Sequence, residues 1–118
     1  MKYMLLLYAN TSEVPQYPPE EQKAAMQAWQ NYRTEAEAAG VYVSSSGLAP
    51  VSTATTVRVR DGKRLTSDGP FAETHEQLGG FFMLNCKDLD EAIDWAARVP
   101  GFSQYGSVEV RPLWSPEA

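Results

Sequence analysis

The elements of this sequence run β-α-β, a β-hairpin, then β-α-β, which predicts an α+β domain. Three observations carry that reading. A long helical stripe is opened by Pro19 and closed by Gly40, and a shorter one is opened by Asp88 and Glu91. Between them, an Asp61-Gly62 turn joins two short strands. The order matches a ferredoxin-like split βαβ unit carrying a β-hairpin insertion.

Taken in order, Tyr3–Tyr8 is apolar at both parities, so it reads as a strand covered on both faces. Asn10–Pro18 is a polar, proline-containing loop. Pro19 suits a first helical position because its φ is already helical, and Glu20-Glu21 complement the helix dipole. Ala25, Trp29, Tyr32, Ala36 and Ala39 then form one stripe of a long amphipathic helix, with Gly40 as its stop. Val41–Ser45 reads as a second strand, followed by a loop around Gly47 and Pro50. Thr55–Arg60 alternates valines with polar residues and pairs with Lys63–Thr66 across a type I′ Asp61-Gly62 turn.

Ser67–Gly80 has no clean period, and Phe81–Asn85 is again a two-faced strand. Asp88 and Glu91 have capping-box spacing, and Leu89, Ala92, Ile93, Ala96 and Ala97 supply that helix's core face. Pro100-Gly101 ends it, and Ser107–Leu113 is the last strand. Two helices cover only one face of such a sheet, so the other apolar face needs a cover. The simplest cover is a second copy, and a homodimer packed sheet to sheet is expected.

The chain of 118 residues suits one domain over residues 1–114, with a short tail at 115–118. Its net charge of -5 and the lack of a basic run disfavour nucleic acid and anionic membranes as partners. The single Cys86 excludes an internal disulfide and reads as a small apolar residue at a strand end. The opening Met1–Ala9 superficially resembles a signal peptide. Its apolar run is short, however, and no small-x-small cleavage site follows. A soluble, cytoplasmic protein is expected.

The least ordinary segment is Asp68-Gly69-Pro70-Phe71-Ala72-Glu73-Thr74-His75-Glu76-Gln77-Leu78-Gly79-Gly80. Asp-Gly-Pro makes a sharp corner, in which Pro70 keeps Gly69 out of the α region and Phe71 anchors into the core. Asp68 then either caps its own turn or faces a cleft as general base, hydrogen-bond acceptor or metal ligand. His75, between Glu73 and Glu76, is either a solvated loop histidine or a proton-transfer partner for Asp68. One histidine with scattered carboxylates has no recognised ligand spacing, so neither a metal nor a cofactor is expected. Arg58, with Arg60, is either a solvated hairpin face or an anion contact. Trp29 and Tyr32 are either core or aromatic walls of a substrate cleft.

Several of these stretches together resemble one family. They are Met1–Leu6, Ala54–Lys63, the DGPFAETHEQLGGF block, Asp88–Ala92 and Gly106–Pro112, in order along the chain. They are similar to the DGPF branch of the YCII-related proteins. The resemblance implies a dimeric α/β-barrel of ferredoxin-like subunits, with a cleft around the aspartate that matches Asp68. In relatives a first-helix histidine pairs with such an aspartate for acid/base chemistry. Here that helix carries Trp29 and Tyr32 and no histidine, and His75 stands where DGPF proteins more often have lysine. The dyad is therefore not transferred. Two functions are expected from this: acid/base catalysis by Asp68 (elimination, isomerisation or proton transfer), or a non-catalytic ligand-binding or regulatory module. The second fits the family's frequent link to extracytoplasmic-function sigma factors.

Overall fold

The computed structural model describes residues 1–10, 18–72 and 75–115. The expected loop over 11–17, Glu73, and tail residues 116–118 lie outside the described residues.

A four-stranded antiparallel sheet has the order β2-β5-β1-β6, built from β1 (Lys2–Ala9), β2 (Tyr42–Gly47), β5 (Gln77–Asn85) and β6 (Gly106–Pro112). The two strands with apolar residues at both parities, β1 and β5, take the two central positions, where both edges are paired. Tyr3, Leu5 and Leu7 of β1 and Phe82 and Leu84 of β5 point to one side and are buried. The fold is ferredoxin-like α+β. The sheet of one chain is open, with β2 and β6 as edges, so a single chain is not a closed barrel.

Helix α1 (Pro19–Ala38) starts on its proline with Glu20 and Glu21 in the first turn. It ends at Gly40, whose φ of 75° turns the chain into β2. Tyr32 and Ala36 are buried and Trp29 is half-buried, whereas Ala25 and Ala39 are exposed. The core stripe is thus shorter than its sequence spacing, because the first turns of α1 overhang a groove instead of the sheet. Helix α2 (Leu89–Ala97) is capped as expected: Asp88 accepts from the Glu91 N–H at 2.9 Å, while the Lys87 N–H donates to the Glu91 carboxylate at 3.1 Å. Its core face is rotated from the expected one. Ala92, Trp95 and Ala96 are buried, while Leu89, Ile93 and Ala97 are exposed. Trp95 goes with this rotation, its ring packing edge-on against Tyr32 at 5.6 Å. Among the described residues, no helix is long and apolar enough to cross a membrane.

Because Asp88 satisfies an otherwise orphaned N–H, Asp88→Ala is expected to lower stability by about 1 kcal/mol. Urea unfolding followed by circular dichroism reads this directly, with Asp88→Asn recovering most of the loss.

The hairpin is β3 (Thr55–Arg60) and β4 (Lys63–Asp68), which form a separate two-stranded sheet. Asp61 and Gly62 have φ of 53° and 75°, as a type I′ turn requires at both positions. Strand β4 runs two residues past the expected Thr66, since Ser67 and Asp68 still pair with Thr56 and Thr55. Likewise β5 begins at Gln77, four residues before the apolar run, because Gln77 and Leu78 pair with Ala9 and Tyr8 beyond a bulge at Gly79 of β5. The hairpin's Val57, Val59 and Leu65 are exposed. The radius of gyration is 16.4 Å, against about 13.5 Å for a compact chain of this length. The hairpin stands away from the body and widens the molecule.

Candidate functional site

The DGPF corner sits at the root of the hairpin. Asp68 is the last residue of β4, paired with Thr55 and exposed. Gly69 follows at φ 91°, a conformation that a Cβ would strain. Its N–H donates to the Ala54 carbonyl at 2.7 Å, and its own carbonyl accepts from the Thr56 hydroxyl at 2.8 Å. The corner is therefore rigid, as expected, although the bonds that hold it come from the facing strand and not from the Asp68 side chain. Phe71 corrects the expectation of a core anchor. It is 79% exposed, because the glycine turn carries the chain out over the hairpin root instead of back to the sheet. The Arg58 guanidinium reaches the Phe71 carbonyl at 3.5 Å, a weak contact at the surface.

Beneath this corner lies a cavity of about 690 Å³, between the Leu48–Thr56 segment, the Pro70–Ala72 turn and the start of β5. Its walls are mostly apolar: Leu48, Val51, Pro70, Phe71 and Leu78 all contribute. Asp68 and Arg58 are not part of the lining. The polar residues that are, and that the sequence did not single out, are Tyr8, Thr53, Thr55, Thr56, Glu76 and Gln77. Both Glu76 oxygens accept from the Ser107 hydroxyl, at 2.7 and 2.9 Å. The Gln77 Oε1 is buried and meets no donor. A polar residue opening an apolar strand was the one available sign of Gln77. Nothing in the sequence marked Tyr8, which lines the cavity opposite Leu78, beside the bulge at Gly79 of β5.

The remaining sequence candidates fall elsewhere. His75 is exposed, with its Nδ1 3.4 Å from the Asn10 amide nitrogen. Trp29 lines a separate groove of about 970 Å³, together with Met26, Phe102 and Tyr105, on the helix side of the sheet. Its ring lies 4.6 Å from Phe82 and 6.5 Å from Phe102. Tyr32 is a core residue and not a cleft wall. It is buried against Phe82 and Trp95, its hydroxyl donates to the Trp95 carbonyl at 2.8 Å, and burial pushes its pKa above the ordinary tyrosine range. Cys86 is buried beyond β5, and burial, assisted by the nearby Glu91, pushes its thiol up to about 11, so it stays protonated. Among the described residues, no group of three or more metal-ligating side chains comes together.

The two cavities back onto each other at the end of the sheet. Gly47 and Gly79 face the groove, their neighbours Leu48 and Leu78 face the hairpin-root cavity, and the Leu48 N–H donates to the Gly79 carbonyl between them. Next to this contact the close approach of β2 to β5 needs Gly80, where a Cβ would lie 2.8 Å from the Ser46 carbonyl oxygen.

A ferredoxin-like α+β chain with an inserted hairpin and a cavity at its root is therefore the class that fold and site define. The chain belongs to the YCII-related family, whose domain model matches residues 1–116. It is 37% identical over 114 residues to an uncharacterised protein of Rhizobium meliloti (strain 1021), covering 96% of this chain and 92% of that one.

Proposed function

We propose that this protein is a homodimer that binds a small molecule in the hairpin-root cavity, and that it acts by binding and not by catalysis at Asp68. The cavity carries the reading. At about 690 Å³ it falls within the roughly 300–1,000 Å³ of small-molecule sites, with apolar walls and a few polar groups. Asp68 ends β4 exposed and apart from that lining, so its supported role is structural, at the start of the corner that forms one wall.

The homodimer is supported by the second sheet face. Met4, Leu6 and Tyr8 of β1 lie opposite Met83, Phe81 and Leu78 of β5, and none of them is fully buried by the described residues. A stripe of this kind is costly to leave wet. The exposed Val57, Val59 and Leu65 of the hairpin point the same way, since an isolated two-stranded hairpin is marginal in water. Tyr8 and Leu78 belong to both the open face and the cavity, so a second copy on that face would border the site.

Ala54, a half-buried lining residue, offers a direct test. The neutral probe 2-phenylethanol is expected to shift the amide resonances of Leu48, Thr56 and Leu78. Ala54→Trp should fill the cavity and abolish those shifts while leaving the remainder of the spectrum intact. Shifts confined to the Trp29 groove would move the site to the other side of the sheet.

A further inference from the structure

We propose that the free edge of β6 pairs with the same edge of a second copy, and that Trp114 of each chain seats in a cavity beside the other's α2. This contact is separate from the open sheet face. Strand β6 ends the sheet, so one side of it has no partner strand among the described residues. The Leu113 N–H donates to the Lys2 carbonyl at 3.0 Å, in register with the pairing of Tyr3 and Pro112. Antiparallel alternation then turns the backbone of Ser107, Glu109 and Arg111 inward to β1. It turns the N–H and C=O of Val108 and Val110 out to the free edge.

What the edge fits is set at its two ends. Trp114 lies just past the C-terminal end of β6 and is 87% exposed, the most of any large apolar side chain among the described residues. At the N-terminal end of the same strand is a cavity of about 310 Å³, lined by Ile93, Ala96, Ser103, Gly106, Val108 and Val110. Charge selects the register between two copies. Pairing centred on Val110 sets Glu109 of each chain opposite Arg111 of the other, whereas a centre on Glu109 or on Arg111 sets like charges face to face. The register centred on Val110 also brings Trp114 opposite Gly106 of the second copy, on the face that Val108 and Val110 turn to the cavity. The ladder is incomplete. Pro112 falls opposite Val108 and has no N–H to give, and the Gly106 N–H already serves the Phe102 carbonyl. The contact is therefore weaker than a full strand pair and forms above micromolar concentration.

Phe81→Asp, which blocks the open face, isolates this contact. By sedimentation equilibrium its mass is expected to rise from 13.1 kDa at micromolar towards twice that at millimolar concentration. Hydrogen exchange should slow at the Val108 and Val110 amides over the same range, in this variant and in wild type alike. Adding Trp114→Ala should weaken the association at least about thirtyfold, the effect of losing one hot-spot residue. Arg111→Glu should weaken it as well, and combining Glu109→Arg with Arg111→Glu should restore it. A Phe81→Asp protein that stays at 13.1 kDa at millimolar concentration overturns the proposal. So does association in which both valine amides still exchange freely, or association that Trp114→Ala leaves unchanged. Wild type that is monomeric at micromolar concentration overturns the open-face homodimer alone.

Discussion

Phe82→Ala is expected to lower the unfolding free energy by about 3–5 kcal/mol, a large share of the roughly 5–15 kcal/mol available to a domain. Phe82 is fully buried at the centre of β5, opposite Leu5 of β1. Its ring lies 4.6 Å from Trp29 and 4.8 Å from Tyr32, so it joins the sheet to α1, while Tyr32 in turn joins α1 to α2 through Trp95. Truncation removes the shared partner of both rings, and α1 is held at each end of its contact. The cavity left cannot collapse easily. Urea titration measures the loss, and Phe82→Leu should recover more than half of it. A loss below about 1 kcal/mol would mean that the core repacks freely, contrary to this placement.

The second large effect concerns the neighbouring residue on the opposite face. Phe81→Asp is expected to convert the protein from a particle of twice 13.1 kDa to one of 13.1 kDa by light scattering at micromolar concentration. Phe81 lies opposite Leu6 on the stripe that a second copy would cover. In a two-fold assembly the substitution places a carboxylate on both sides of the interface, and each desolvated charge costs several kcal/mol. Within one chain Phe81 is only half-buried, so the monomer should keep its circular dichroism spectrum. Wild-type protein already at 13.1 kDa would overturn the homodimer. A dimer untouched by Phe81→Asp would place the interface elsewhere, with the hairpin's Val57 and Val59 the next surface to change.

Phe81 and Phe82 show how far the chain could be read before its structure. Their alternation with Leu5 and Leu6 marked two-faced strands, and the structure puts β1 and β5 at the centre of the sheet. The Asp88–Glu91 cap, the Asp61-Gly62 turn and the stops at Gly40 and Pro100 were legible for the same reason. Each is decided within a few residues by backbone sterics or an unpaired N–H. The rotation of α2 towards Trp95 was not legible, because Ala92 and Ala96 permit either face and only Tyr32, far away in sequence, selects one.

The DGPF corner divides along the same line. Its rigidity and its glycine were local facts, since a turn at φ 91° before a proline admits little else. Which side chains meet beneath it was a tertiary matter. Tyr8, Thr56, Glu76 and Gln77 come from three strands and a loop that share no local signal, and Trp29 and Phe71 end on different cavities. The sequence by itself determined the order of elements, the turns and caps, the two-faced strands and the family. Only the tertiary structure decided where the cavity lies, that Asp68 stands outside it, and that its charge comes from Glu76. Elements are set by short-range geometry, whereas a site is set by contacts between residues distant along the chain.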